Sequence, residues 1–266
     1  MTPATERIRE IQTRGYEFAL GTYIERGFNI FWKQPGLFIA FTLIYLAVSG
    51  SSNDLSIIVT FAANTLLLPC LMAGYFLVAH KISTGAPEIY FGDFFKGFDH
   101  FRNLAIVSAL TGLIIIAAAI PFLLVMLISF FWGADGLILD SDIQHTISRI
   151  FIEGDFIFPF WALLLLIPAI YLSIAYSAAP FFVVFYNMEP SEAMEASRKI
   201  ISKRWFTIFL FSIALGFIAA MGVVALLVGF LATFPAICCA EYAAFSDIMQ
   251  LEQEENEDDE VLRHLV

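Results

Sequence analysis

Long apolar stretches separated by short charged ones organise this chain. They run Gly36–Gly50, Leu55–His80, Leu104–Trp132, Phe158–Tyr186 and Trp205–Met249. A helix rises about 1.5 Å per residue, so a hydrocarbon core of roughly 30 Å takes about 20 mostly apolar residues to cross. The first stretch is short and must borrow flanking residues. The last is too long for one crossing and divides near Gly229–Pro235 into two helices joined by a tight turn, which makes six spans. Pro69, Pro121, Pro168 and Pro180 fall inside stretches. Membrane helices tolerate proline because neighbours satisfy the freed carbonyl, although a kink remains. The predicted fold class is all-α: a polytopic transmembrane helical bundle of six spans.

Each odd-numbered span is preceded by an amphipathic stretch. In Tyr90–Asn103, Phe91, Phe94, Phe95, Phe98 and Phe101 fall at the spacing of one helical face, while Asp93, Lys96 and Arg102 take others. In Ser191–Arg204 the apolar line is Met194, Ser197, Ile200 and Ile201, with Glu192 and Glu195 early and four basic residues late, which suits the helix dipole. Before the first span, Leu20, Ile24, Gly27, Phe28 and Phe31 form a similar stripe. Such helices are expected in the membrane interface, with aromatic rings toward lipid and Lys and Arg toward phosphates. The second span of each pair carries a proline: Pro69, Pro180 and Pro235. The chain therefore reads as three units, each an interfacial helix, an outward span and a returning span.

Charge sets the expected orientation. Of the 14 Lys and Arg residues, all but Arg149 fall on one side of the six-span arrangement. Positive residues stay cytoplasmic, so both ends are expected inside. Residues 1–35 then form a cytoplasmic amphipathic segment, 36–250 the six-helix transmembrane domain and 251–266 an acidic cytoplasmic tail. The net charge of −11 is largely that tail, since Glu252–Glu260 holds seven acids. Such a run repels itself and is expected to be disordered. Composition agrees with a membrane location: 59% of the 266 residues are hydrophobic and 15% charged, against about 25% charged in soluble domains. No cleavable signal is recognised before the first span, which would itself direct insertion.

Candidate chemistry is sparse. His80, His100, His145 and His264 are scattered, and no metalloprotease, phosphate-loop, nucleophile-elbow or CxxC pattern occurs. Cys70, Cys238 and Cys239 lie in apolar runs and read as small hydrophobes. The loop Gly133–Ile157 carries Asp135, Asp140 and Asp142, without the alternating ligands and distal Glu of a calcium loop, and Ser141–Phe151 suggests a short surface helix. No cofactor, metal site or nucleic-acid partner is expected. The acid well inside a span is Glu241. An Asp at a helix centre costs about 2.5–3.5 kcal/mol on insertion scales, so this carboxyl must face the bundle, take a proton or find a partner. It is a candidate intramembrane polar site; the simpler expectation is a hydrogen bond to a neighbouring helix. Asn64, Thr65, Tyr171, Ser173, Tyr176 and Ser177 read as interhelical contacts, and Ser212, Gly216 and Ala220 as a small-residue row for close helix approach.

Asn29–Pro35 (NIFWKQP), Asp93–Phe98 (DFFKGF), the segment from Pro190 to Ser197 and Phe230–Ile248 carry a resemblance. Together, over Gly27–Ile248, they resemble uncharacterised bacterial six-helix inner-membrane proteins related to the membrane domain of glycerophosphodiester phosphodiesterases. The hydrolase domain is absent here, so the resemblance implies a bacterial inner-membrane bundle and no catalytic residue. Two functions are in view. One is a non-enzymatic scaffold, assembly or envelope-homeostasis component contacting membrane lipids and other membrane proteins. The other is a transporter or lipid-handling protein. A filled, dry bundle would favour the first, and a cavity reaching Glu241 beside polar residues of the fourth span the second.

Overall fold

The computed structural model describes residues 3–51, 63–133, 160–224 and 228–251. The acidic tail, most of the Gly133–Ile157 loop with Asp135, Asp140 and Asp142, and the Ser141–Phe151 segment lie outside them. The described chain is helical throughout its regular structure: α1 (Pro3–Arg14), α2 (Leu20–Lys33), α3 (Pro35–Ser51), α4 (Leu68–Ser83, after a π turn at Ala63–Leu67), α5 (Phe91–His100, wound as 3-10 turns), α6 (Phe101–Gly133), α7 (Ile167–Ala175, after 3-10 turns at Phe160–Leu166), α8 (Ala179–Tyr186), α9 (Pro190–Ile201), α10 (Trp205–Val224) and α11 (Val228–Met249). Five helical stretches are long and apolar enough to cross a membrane, or six if α2 and α3, bent by 97° at their junction, are counted together. The protein is thus a multi-pass helical membrane protein. Gly229–Pro235, where the sequence suggests a turn between the last two spans, is helical instead and lies within α11.

Two compact units divide the chain. Residues 110–173 form one, comprising the distal part of α6 and the start of the fourth span. In the most apolar stretch of α6 no residue is buried, and Leu113, Ile116, Leu123 and Ile128 are more than half exposed. In water such a helix would collapse onto something; in hydrocarbon, exposed leucine and isoleucine cost nothing.

The other unit holds everything else. Pairings fix its register. Lys33 Nζ donates to the Ile82 carbonyl (3.4 Å), and Thr42 Oγ1 lies 2.9 Å from Tyr75 Oη, so α3 and α4 run antiparallel. Gly222 faces Thr233, while Phe211 and Leu215 share a core with Ala240 and Ala244, so α10 and α11 form an antiparallel hairpin. At the centre, one ring from each returning span is stacked: Phe76 of α4 on Phe181 of α8 (4.1 Å), and Phe181 on Phe245 of α11 (4.7 Å).

The amphipathic helices α2, α5 and α9 precede spans one, three and five, but their apolar faces meet protein, not lipid. Each docks on a returning span. Gly97 of α5 lies against the Cys70 carbonyl of α4, and Gly74 of α4 against the Phe94 carbonyl. In α9, Ala193, Met194, Ser197, Ile200 and Ile201 are all buried, and Ser197 bonds to Ala175 and Ala178 beside α8. The helix α2 lies on the last returning span, where a Cβ on Gly27 would be 2.5 Å from the Ala240 amide nitrogen. The second and third interfacial helices thus sit on the returning span of the preceding unit, and the first closes the circle on the last. This cyclic docking gives the three-unit reading a physical basis.

The 3-10 winding of α5 also divides the five phenylalanines. With about three residues per turn, Phe91, Phe94 and Gly97 form one ridge, Phe95, Phe98 and Phe101 a second, and Asp93, Lys96, Asp99 and Arg102 a third. Phe94 is fully buried among Phe38, Phe41 and Tyr75 (ring centroids 4.4–5.9 Å), whereas Phe95 and Phe101 are exposed. The expected single aromatic face at 3.6-residue spacing is therefore two ridges, and only the second is turned outward. Buried Asp93 accepts from Lys81 (2.8 Å), Lys96 (2.9 Å) and the Tyr90 amide (2.9 Å), tying the start of α5 to the end of α4.

Similar bonds collect the span ends into one polar layer. Arg26 donates to Ser83 Oγ (3.0 Å), Tyr23 Oη to Asp247 Oδ2 (2.6 Å), and Arg204 Nε to the Tyr16 carbonyl (3.2 Å). Arg7 donates from Nε and Nη2 to the Ile248 carbonyl, both at 3.2 Å, so α1 caps the end of α11. The expected small-residue row behaves differently. Ser212, Gly216 and Ala220 are exposed, and the close approach of α10 to α11 is made instead at Gly222.

Gly27→Ala is expected to lower stability by about 1–3 kcal/mol, because the added methyl meets Ala240 backbone. Gly216→Ala, with nothing within 4 Å, should leave stability unchanged or raise it by up to about 1 kcal/mol. Thermal unfolding of both variants in detergent checks the pair; equal behaviour would remove Gly27 from its docking role.

Candidate functional site

The fourth span is not one continuous helix. The helix α7 ends at Ala175, a turn follows, and α8 starts at Ala179. Pro180 explains the break: it has no N–H to offer the Tyr176 carbonyl, and its ring would crowd that oxygen. Part of the loss is made good locally, since Ala179 N–H reaches Tyr176 O at 3.1 Å and Ser177 N–H reaches Ile174 O at 3.1 Å. The remainder comes from another helix. Ser197 of α9 donates its hydroxyl to the Ala175 carbonyl (2.7 Å) and accepts from the Ala178 N–H (3.2 Å). Ser197 has no solvent exposure. One hydroxyl thus substitutes for two backbone partners where water is absent. The α9 sequence places Ser197 on its apolar line, and a hydroxyl there must find a partner; that was the available signal for its role.

Beside this break lies a cavity of about 90 Å³. Ten of its thirteen lining residues are apolar, among them Phe18, Phe181, Phe211 and Phe245; the other three are Ser177, Ser212 and Glu241. The rings are fixed from outside the cavity. Phe18 meets Phe211 edge-on at 5.4 Å, and Phe181 and Phe245 belong to the central stack. Ser177 belongs to the break itself. Ser212 gives its proton to the Ile208 carbonyl (3.0 Å), leaving its oxygen as an acceptor. Both serines are exposed, so the cavity is open on their side.

Glu241 is the one charged group in the lining. It lies six residues before Asp247, about 9 Å deeper along the helix axis. The side chain is half-buried and borders the cavity. Among the described residues its carboxylate makes no hydrogen bond and no salt bridge, so the expected bond to a neighbouring helix is not found there. Aliphatic and aromatic side chains dominate its surroundings. Neighbouring acids behave otherwise: Asp247 has Tyr23 and Asp93 has two lysines. A carboxylate without partners in so apolar a setting carries a desolvation cost that a ligand, a proton or a cation would relieve.

Other residues singled out from the sequence are placed elsewhere. The ring of His80 is 2.8 Å, Nδ1 to Oη, from Tyr242, and packs edge-on to Phe185, joining α4 to α11 and α8. Cys70, Cys238 and Cys239 are buried thiols. Among the described residues no group of three His, Cys, Asp or Glu is arranged to hold a metal ion.

Ser197→Ala should cost about 1–3 kcal/mol, because it strands the Ala175 carbonyl and the Ala178 amide in a water-free site. The exposed Ser191→Ala should stay within about 0.5 kcal/mol. Thermal midpoints in one detergent test the difference; an unaffected Ser197→Ala would mean that the break finds other partners.

The chain matches no protein-family model, no curated protein and no solved structure, so nothing found there links it to the membrane domain of glycerophosphodiester phosphodiesterases.

Proposed function

We propose that this chain is a transporter or lipid-handling protein of the bacterial inner membrane, with both ends cytoplasmic, and that the Glu241 cavity is its ligand site. The observation that carries this reading is the conjunction of an unpartnered carboxylate, a cavity and a broken span at one place. Broken helices at membrane depth are tolerated where the loose backbone is buried in protein or lines a cavity, and they recur where transporters hold substrates and coupling ions. A scaffold requires no internal space and no uncompensated acid. Catalysis is not invoked, since no nucleophile–base pair accompanies Glu241.

The orientation rests on the basic residues. Arg7, Arg26, Lys33, Lys81, Lys96 and Arg204 all take part in the polar layer that joins the span ends, and such a layer belongs on the cytoplasmic face. The Phe95–Phe101 ridge beside Lys96 and Arg102 suits contact with anionic lipid there.

A reporter active only in the periplasm, fused after Val266, should give no signal, while its cytoplasmic counterpart is active. The opposite pattern would exclude a cytoplasmic C-terminus. For the site, Glu241→Gln keeps shape and hydrogen-bonding capacity but removes the charge. It should insert and fold normally, yet fail to complement a deletion of the native gene. Full complementation by a folded Glu241→Gln protein would favour the scaffold instead.

A further inference from the structure

We infer that the Glu241 cavity binds an alkylammonium group, an organic cation whose head sits between the carboxylate and the phenylalanine rings; this rests on the ligand-site reading above. The lining decides the class. Among the described residues no Lys, Arg or His borders the cavity, so an anionic ligand would meet the Glu241 carboxylate uncompensated. Hard metal ions are poorly served, because calcium takes 6–8 oxygen ligands, whereas the side chains here offer one carboxylate and two serine hydroxyls. Four phenylalanines with a single acid suit a large, weakly hydrated cation. Ring faces attract ammonium charge, more strongly once it is desolvated, and the carboxylate supplies the counter-charge and, toward an N–H, a charge-assisted bond.

Size and opening narrow the choice further. The space of about 90 Å³ is below the roughly 150 Å³ of an engineered apolar cavity that binds benzene. It is far below the roughly 300–1,000 Å³ of sites that enclose whole drug-sized ligands. It therefore takes a head and leaves any tail outside. The open side, marked by exposed Ser177 and Ser212, lies within membrane-spanning helices, so a hydrocarbon tail can leave through it. Ammonium heads reach a site of this kind from water or from lipid, and tailed and tailless probes separate the two.

The test uses the full chain purified in a maltoside detergent. Binding of tetramethylammonium, dodecyltrimethylammonium below its micellar concentration, and dodecanol is measured by calorimetry, with thermal midpoints alongside. Dodecyltrimethylammonium should bind saturably and raise the midpoint. Its affinity should fall at least tenfold in Glu241→Gln and severalfold in Phe245→Leu, with Glu241→Asp in between. Dodecanol should not compete. Comparable binding of tetramethylammonium would assign a water-borne cation, and binding of the tailed probe alone a lipid-phase one. Failure of both cations to bind, equal affinity in a folded Glu241→Gln, or competition by dodecanol would overturn the inference. If no cation binds while Glu241→Gln still fails to complement, the site reading stands and only the ligand class falls.

Discussion

Backbone can approach backbone only where side chains leave room, and this protein is assembled on that constraint. Inside a bilayer there is no hydrophobic drive to join helices, because lipid is as apolar as leucine. Close packing and satisfied polar groups do the work instead. Gly27 against Ala240, Gly97 against Cys70, and Ser197 against Ala175 and Ala178 are three versions of one contact. In each, a small residue of an amphipathic helix meets the main chain of a returning span. The central aromatic stack and the polar layer at the span ends are arranged around these joints.

The same joint that stabilises the third unit also shapes the candidate site. Pro180 opens the fourth span, and Ser197 closes the hydrogen-bond deficit from α9. The loosened turn contributes Ser177 and Ala178 to a space that α10, α11 and Phe18 complete. The cavity is thus a consequence of how one broken helix is repaired, and Glu241 is the group left facing it. Structure and chemistry coincide at a point where an ideal bundle would have been continuous and filled.

Much of the architecture was legible in the sequence, since helix-length apolar runs have few other uses. The all-helical class, the multi-pass character and the three amphipathic stretches follow from length and periodicity. The break between the last two spans was misplaced because proline was taken as a turn signal, while α11 carries Pro235 within its length. The amphipathic faces were directed toward lipid because periodicity reveals an apolar stripe but not its partner. Gly27 and Gly97 are the clue, for glycine on such a stripe serves a neighbour's backbone better than a lipid tail. The five phenylalanines were placed on one face by assuming 3.6 residues per turn, and 3-10 winding divided them. Glu241 was conspicuous as an acid in an apolar run. Its four aromatic neighbours were not, because Phe18, Phe181, Phe211 and Phe245 meet only after three helices and the segment before α2 are packed.

The docking of α2 on α11 has a bearing on synthesis. Its partner surface around Ala240 emerges more than 200 residues after Gly27, which at about 5–20 residues per second is roughly 10–40 seconds of translation. Throughout that interval the Gly27 face of α2 lacks the surface on which it finally docks. The membrane interface, where an amphipathic helix is stable, is the natural place for it to wait. The nascent chain would then hold its first helix on the bilayer surface and draw it onto the bundle only when the last span arrives, making ring closure the final event of assembly.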